Sequence, residues 1–228
     1  RMLQELRASG ALQCILPEVA ALYGVPQRAE FHPEVDTGVH LEMVLDMAAR
    51  LDTPLTVRFA CLCHDLGKAT TPADVLPRHI GHEQRSVKLL RQLCERLRVP
   101  VACRELAEVV AREHGNIHQS LDFSPAATVR LLERCDALRQ PERFAEVLLA
   151  CECDARGRLG FDERPYPQAA RLLAALERLR TLDEGAIARS VQQRWQEQSA
   201  DTRERNPGEQ IRQAIHGERV RLLEAATD

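Results

Sequence analysis

The segment ACLCHDLGKAT, residues 60–70, places His64 beside Asp65 among apolar neighbours. The surrounding residues predict a helix over 56–66 that is apolar on nearly every face, and such a helix is normally buried. A buried ionised carboxylate is costly unless it is paired or bound to a metal ion, so Asp65 needs a cation. Imidazole and carboxylate groups together are common ligands of divalent metals, and the pair therefore indicates a metal site.

Helical spacing predicts that further polar side chains face the interior from separate helices. They are His40, His82, His114 and Asp154. Each alone is more simply explained as a core side chain with a hydrogen-bond partner or, for Asp154, as a helix cap. Several unpaired buried polar groups would be costly together, so their joint occurrence favours one interior site. The ligand types suit Mg, Mn, Fe, Ni, Co or Zn and do not choose among them.

The composition restricts the class of protein. Charged residues make up 29% of the 228 residues and aromatic residues only 4%, which predicts an all-α protein. The net charge of −3 argues against a basic field over the whole surface, so any nucleic-acid surface must be local. No stretch approaches the ~20 apolar residues of a membrane span. The eight cysteines contain no CxxC pair, and we expect reduced thiols in a cytoplasmic protein rather than disulfides or a zinc knuckle.

Proline, glycine and Asx residues divide the chain into helix-length segments. Ser124-Pro125 predicts an N-cap followed by proline at the first helical position. The predicted helices cover residues 1–9, a short segment within 17–24, then 37–51, 53–67, 81–99, 100–115, 125–139, 141–157, 167–182, 184–199 and 208–225. Residues 156–167 are predicted to form a loop, and we find no strand pattern and no internal repeat.

The polar residues also occur in a specific order. His40, the pair His64-Asp65 and Asp154, with Gly67-Lys68 after the pair, resemble the H…HD…D pattern of the HD superfamily of metal-dependent phosphohydrolases. Longer stretches resemble the C-terminal HD domain of bacterial multifunctional CCA tRNA nucleotidyltransferases: HPEVDTGVHLEMVLDMAARL, VRFACLCHDLGKATTP, LPRHIGHEQRS and ECDARGRLGFDERPYPQ. The segment GALQCILPEVAALYGVP is similar to the helical region upstream of that domain.

This resemblance implies an HD-domain helical bundle with a C-terminal helical tail. Residues 1–30 would end an upstream helical region, 31–165 would form the HD phosphohydrolase domain, and 166–228 the tail. The implied activities are 2′,3′-cyclic phosphodiesterase, 2′-nucleotidase and phosphatase, on a tRNA 3′ end or on nucleotide phosphoesters. One divalent ion per chain is favoured, with Ni, Mg, Mn or Co the first candidates.

The resemblance and the residue chemistry together assign roles. His40, His64, Asp65 and Asp154 are the expected metal ligands, and Asp65 also orients water. Lys68, His82 and Arg85 are the expected catalytic partners that contact phosphate, although Lys68 could equally be a solvated lysine. The pair His82 and His114 could instead bind a second metal ion or substrate. His79 and His118 lie in loop-like contexts and could be ordinary surface histidines.

The nucleotide-adding head of the CCA family needs a Gly-Ser loop and an Asp-x-Asp pair, and the chain contains neither of these sequence patterns. We therefore expect no nucleotide addition by this chain alone and a partner head supplied by a longer parent protein. A homodimer is a further expectation, since long amphipathic helices would permit one.

Residues 77–104 are locally basic, and Arg85, Lys88 and Arg91 lie on one predicted helix face. Such a face is usually the solvated side of an amphipathic helix. The alternative is a surface that follows RNA phosphates. Two alternative functions of the whole chain stay open besides the phosphohydrolase. The first is a tRNA-binding body with a vestigial metal site, and the second is a helical scaffold whose polar interior is satisfied by hydrogen bonds.

Overall fold

The computed structural model describes residues 2–197 and 207–225, and the backbone of these residues is helical throughout its regular parts. The described residues contain no strand, and an isolated bridge joins Pro26 to Asp36. The prediction of an all-α fold is confirmed.

Most helices lie within or near the predicted segments, but residues 11–15 form a helix where none was predicted. The first seven α-helices are α1 (Met2–Ala8), α2 (Ala11–Ile15), α3 (Pro17–Ala20), α4 (Thr37–Arg50), α5 (Leu55–Cys63), α6 (His82–Leu97) and α7 (Val101–His118). The remaining ones are α8 (Pro125–Arg134), α9 (Pro141–Arg156), α10 (Pro167–Leu179), α11 (Glu184–Glu197) and α12 (Pro207–Glu224). Two 3₁₀ helices, Leu66–Thr70 and Ser120–Asp122, follow α5 and α7. The predicted extension of α11 to residue 199 lies partly outside the described residues.

Local chemistry explains where several helices begin and end. Ser124 caps α8 as predicted, because its side chain accepts a hydrogen bond from the N–H of Ala127. Asp36 caps α4, because its side chain accepts a hydrogen bond from the backbone N–H of Val39. Helix α8 ends five residues before the predicted position, because Asp136 just beyond it has a positive φ of 54° that no helix continues.

Helix α5 ends at Cys63 and does not continue to Gly67 as predicted. His64 and Asp65 therefore form the junction between α5 and the first 3₁₀ helix. Gly67 in that 3₁₀ helix lies directly against α6: its N–H donates to Ser86 Oγ at 2.8 Å. A Cβ atom at this position would lie 2.2 Å from the carbonyl oxygen of His82, so only glycine fits without displacing α6.

The chain divides into two compact units, and the first comprises residues 1–119 with 142–169. In it α5 packs against α4 and α7, while α6 packs against α7 and the first 3₁₀ helix. Val57, Ala60 and Leu66 are completely buried in this core. Burial of this kind is the main favourable contribution to folding.

The second unit comprises residues 120–141 with 170–228. Helix α12 packs against α8 and α11. Arg219 on α12 joins them through ion pairs with Glu133 of α8 and Glu184 of α11. The three-part division at residues 30 and 165 stays a prediction.

All eight cysteines are free thiols in the described residues, and all except Cys14 are buried. The expectation of reduced thiols stays a prediction. No described helix combines the length and apolar character that crossing a membrane requires.

Candidate metal centre

Four elements of the first unit bring the predicted polar residues together. His40 lies in the second turn of α4, His64 and Asp65 directly follow α5, and Asp154 lies in the last turn of α9. All four side chains are almost completely buried. His114 on α7 is buried beside them.

Short distances connect the four predicted metal ligands. His40 Nε2 lies 2.9 Å from Asp154 Oδ1, and His64 Nε2 lies 3.7 Å from the same oxygen. His64 Nε2 is also 3.2 Å from Asp65 Oδ2. His40, His64 and Asp65 each offer one ligand atom, and these three atoms lie within 4.8 Å of one another. The four residues therefore surround one small volume of the size that a single divalent ion occupies.

Two atoms of this cluster point to an ion. His64 Nε2 and Asp65 Oδ1 are buried and have no hydrogen-bond partner. Buried polar atoms are nearly always satisfied, so an unsatisfied imidazole nitrogen and an unsatisfied carboxylate oxygen on adjacent residues indicate a missing partner. A divalent cation meets that description, and the residues present fit it.

The ring orientations are fixed by the backbone. His64 Nδ1 lies 2.8 Å from the carbonyl oxygen of Cys61, and His114 Nδ1 lies 3.0 Å from that of Val110. His82 Nδ1 likewise lies 2.8 Å from the carbonyl oxygen of His79. A neutral imidazole that donates from Nδ1 keeps its lone pair on Nε2. All three rings thus present Nε2 to the cluster, as histidine ligands held by a second hydrogen bond do.

The charges within the cluster are strongly coupled. Burial lowers the pKa of His64, but the carboxylates of Asp65 and Asp154 outweigh burial and raise this pKa to about 9. Burial raises the pKa of Asp65, whereas Lys68 and His64 hold it well below its ordinary value. Burial dominates at His114 and lowers the pKa of that ring to about 3. Without a metal ion, the two carboxylates therefore keep a proton on His64 at neutral pH.

A second group of ligand atoms shares Asp65. His82 Nε2 lies 3.3 Å from Asp65 Oδ1, and His114 Nε2 lies 3.6 Å from it. The two imidazole nitrogens are 3.3 Å apart. Asp65, His82 and His114 thus form a separate set of possible ligands, with one carboxylate common to both sets.

Lys68 is buried, which contradicts the alternative of a solvated lysine. Its ammonium lies 2.7 Å from Asp65 Oδ2 and donates to Gln27 Oε1 at 2.9 Å. Arg85 is half-buried, and its guanidinium donates to the carbonyl oxygens of Gly67 and Ile80 and to a threonine hydroxyl at position 71. The structure therefore places Lys68 in the cluster, whereas Arg85 bonds to the 3₁₀ helix after α5 and to the segment before α6.

Three residues outside the predicted set, His32, Glu34 and His118, also contact the cluster. The sequence leaves open that His118 is an ordinary surface histidine, but it is the last residue of α7, and its Nε2 lies 2.7 Å from Asp154 Oδ2. Its spacing of four residues from His114 was the available signal. His32 and Glu34 come from the irregular segment before α4, where no periodicity predicts the direction of a side chain. His79 is bonded to Thr71 and to a backbone carbonyl, outside both ligand sets.

The predicted basic face is only partly available. Lys88 and Arg91 on α6 are exposed, and Arg91 is paired with Glu108 at 2.7 Å. Arg96 further along α6 is paired with Glu18. Lys88 therefore carries the least compensated positive charge of these three side chains.

The helical bundle and its histidine–aspartate cluster agree with the comparison against protein families. The profile of the HD domain matches residues 37–182, which is most of the chain. The chain belongs to the HD domain family, which implies the superfamily of metal-dependent hydrolases.

Several curated relatives are similar in sequence to this chain, and each is called a multifunctional CCA protein. The protein from Paracidovorax citrulli is 71% identical over 194 residues, which is 85% of this chain and 46% of the relative. The one from Burkholderia cenocepacia is 60% identical over 226 residues, covering 99% of this chain and 52% of the relative. The chain thus spans about half the length of the curated relatives it matches. No solved structure matches it significantly.

Proposed function

We propose that this chain is the metal-dependent phosphohydrolase module of a longer tRNA CCA-adding or repair protein. The proposed reactions are hydrolysis of 2′,3′-cyclic phosphodiesters, of 2′-nucleotides and of other phosphomonoesters. The observation that carries the proposal is the convergence of four buried side chains. Two of their atoms, His64 Nε2 and Asp65 Oδ1, have no hydrogen-bond partner. The relatives called multifunctional CCA proteins support the tRNA context.

His40, His64, Asp65 and Asp154 would hold the metal ion. A divalent ion supplies polarisation of a phosphoryl oxygen and makes water a better nucleophile at neutral pH. Asp65 Oδ1 also lies 3.3 Å from His82 Nε2, so Asp65 can orient a water molecule on that side of the cluster. Ni, Mg, Mn and Co all suit this ligand set.

The groups around the ligands define what the protein itself contributes. Lys68 brings a buried positive charge to the carboxylate of Asp65. His82 Nε2 faces the same carboxylate and is placed to exchange a proton with a leaving group or to contact phosphate. Arg85 would contact phosphate only with its remaining N–H groups, because it already donates to three protein oxygens.

We propose one ion per chain. The set formed by Asp65, His82 and His114 is the specific observation that favours a second ion, and the metal content of the purified protein distinguishes the two cases. The same measurement tests the reading as a bare helical scaffold, which requires no bound metal. A nucleotide-adding head on the parent protein, a homodimer and a cytoplasmic location stay predictions.

The alternative is an RNA-docking module whose metal site is vestigial. The exposed side chains Lys88 and Arg91 on α6 favour it, because a basic helix face can follow a phosphate backbone. Binding of tRNA without any hydrolysis would support this alternative over the enzymatic proposal.

The deciding experiment is a hydrolysis assay with defined metals. The purified chain is freed of metal with a chelator and then supplied separately with Ni²⁺, Mg²⁺, Mn²⁺ or Co²⁺. Its substrates are 2′,3′-cyclic AMP, 2′-AMP, 3′-AMP and p-nitrophenyl phosphate. We expect turnover that depends on a divalent ion and disappears with the chelator. No turnover with any of the four ions would refute the enzymatic proposal.

A further inference from the structure

The segment before α4, residues 25–36, is fixed at both ends. The carbonyl oxygen of Val25 accepts from the backbone N–H of Thr37 at 3.0 Å and from its hydroxyl at 2.9 Å. The N–H of Gly24 donates to Asp36 Oδ2 at 2.6 Å. These bonds close the segment into a loop, so its inward side chains have defined positions.

Glu34 is the inward carboxylate of this loop, and its side chain is only 2% exposed. Its Oε1 lies 3.1 Å from His32 Nδ1 and 3.0 Å from His40 Nδ1. Its Oε2 accepts a hydrogen bond from the backbone N–H of Leu159 at 3.3 Å. Both oxygens are therefore engaged, and the carboxylate is held against the imidazole of His40.

Both nitrogens of His40 lie beside a carboxylate oxygen. Nε2 faces the proposed metal ligands and lies 2.9 Å from Asp154 Oδ1. Nδ1 is completely buried and makes no hydrogen bond, and Glu34 Oε1, 3.0 Å away, is the acceptor next to it. A divalent ion held by both Nε2 and Asp154 would take the place of a proton between them, so the proton of a neutral His40 would lie on Nδ1, beside Glu34 Oε1. Carboxylates hold many metal-binding histidines in this way.

We propose that Glu34 is a positioning residue of the metal centre: it holds the proton of His40 on Nδ1 and so presents Nε2 as the ligand atom. The inference rests on the proposed metal-dependent function, which names His40 as a ligand but gives Glu34 no role. Loss of such a carboxylate typically weakens metal binding by about 10- to 100-fold.

The test measures metal affinity directly. Mn²⁺ and Ni²⁺ binding to the purified chain is determined by competition with a chelator, for the wild type, Glu34→Ala, Glu34→Gln and Glu30→Gln. Glu30 is the matched control because it lies in the same loop and is exposed. We expect about 10- to 100-fold weaker binding for Glu34→Ala and a smaller loss for Glu34→Gln, whose amide oxygen still accepts a hydrogen bond. Glu30→Gln should bind like the wild type.

Thermal unfolding of each metal-free variant accompanies the affinity measurement, and Glu34→Gln carries the test if Glu34→Ala does not fold. Unchanged affinity in a folded variant would overturn the inference, including when its stability falls, because the role is then only structural. A lower number of bound ions at unchanged affinity would also overturn it, since His32, Glu34 and His40 would then hold an ion of their own. If the wild type binds no divalent ion, the proposed function fails first and the inference fails with it.

Discussion

Lys68 and Asp65 form a buried ion pair within the ligand cluster: the ammonium nitrogen lies 2.7 Å from Asp65 Oδ2, and each side chain is less than a tenth exposed. A buried carboxylate without a counter-charge is strongly unfavourable. Lys68 therefore stabilises the site while no metal ion is bound, and it keeps Asp65 ionised and ready to act as a ligand.

Replacing Lys68 should destabilise the metal-free protein. We expect Lys68→Met to lower the free energy of unfolding by about 3 kcal/mol, because Asp65 is left as a buried charge without its partner. A saturating divalent ion should restore part of this loss, since it supplies positive charge at the same carboxylate. Urea unfolding with and without Mn²⁺ measures both effects. Lys88→Met, on the exposed face of α6, is the control, and equal stability of the two metal-free variants would contradict the prediction.

Removing one proposed ligand should abolish hydrolysis while the fold persists. Asp154→Asn keeps the shape of the side chain, and His64→Ala removes a ring whose Nε2 has no other partner. We expect both variants to lose metal-dependent turnover of 2′,3′-cyclic AMP below detection. Circular dichroism and the number of bound ions are measured in parallel. His216→Ala, in the second compact unit, should retain full activity, and turnover by folded Asp154→Asn would show that the ligand assignment is wrong.

Metal affinity should rise with pH. The pKa of His64 is raised to about 9 in the metal-free protein, because Asp65 and Asp154 outweigh the effect of burial. At neutral pH a metal ion must therefore displace one proton from this ring. The apparent affinity should increase about tenfold per pH unit between pH 7 and about pH 9. Chelator competition at several pH values checks the slope, and a flat profile over this interval would contradict the prediction.

The metal-free protein should lose stability as the pH falls. Burial lowers the pKa of His114 to about 3 and that of His32 to about 4, below the ordinary value of 6.5. These rings stay neutral in the folded state while the unfolded chain binds protons, so their contribution is complete above pH 6.5 and is lost on acidification. The slope from His114 is at most about 1.4 kcal/mol per pH unit. Urea unfolding with a chelator between pH 4 and 7 measures this slope. His114→Gln should flatten the plot of stability against pH. An identical slope in this variant would contradict the lowered pKa of His114.

If α6 binds RNA, its contribution should be electrostatic. Each phosphate contact that is lost reduces the salt dependence of binding, so Lys88→Gln should lower the slope of log affinity against log salt by about 0.7 to 0.9. Arg91→Gln should have a smaller effect, because Glu108 already compensates its charge. Filter binding of tRNA at several salt concentrations tests this, with Arg180→Gln as the control. A slope unaffected by Lys88→Gln would leave α6 as an ordinary solvated face.

Periodicity in the sequence was sufficient to predict most of the helices and the inward direction of the polar side chains, whereas the choice of four of them as metal ligands came from the resemblance to the HD pattern. His40 and Asp154 lie on core faces whose apolar neighbours recur every three or four residues. Their convergence with the pair His64-Asp65 could then be inferred from the cost of burying them separately. Helix ends were less predictable, as at Asp136, where one residue with a positive φ stops α8 early.

The surroundings of the ligands could not be predicted in the same way. Glu34 and His32 reach the cluster from an irregular loop whose shape depends on bonds between distant residues, such as that of Gly24 with Asp36. Lys68 follows a glycine and looks like a solvated residue in the sequence, but the 3₁₀ helix turns its side chain inward to Asp65. Local patterns carry no information on such long-range contacts.

The absence of a side chain at position 67 links the two ligand sets. Gly67, two residues after Asp65, allows the first turn of α6 to contact its backbone, and the N–H of Gly67 donates to Ser86 Oγ. The first residue of that turn is His82, so the spacing between the two main chains also sets how far its ring stands from the shared carboxylate. A single added methyl group at position 67 would push α6 away and so separate His82 from Asp65, although every ligand residue would still be present in the sequence. Bringing the metal-binding groups within reach thus depends on a residue that has no functional group of its own.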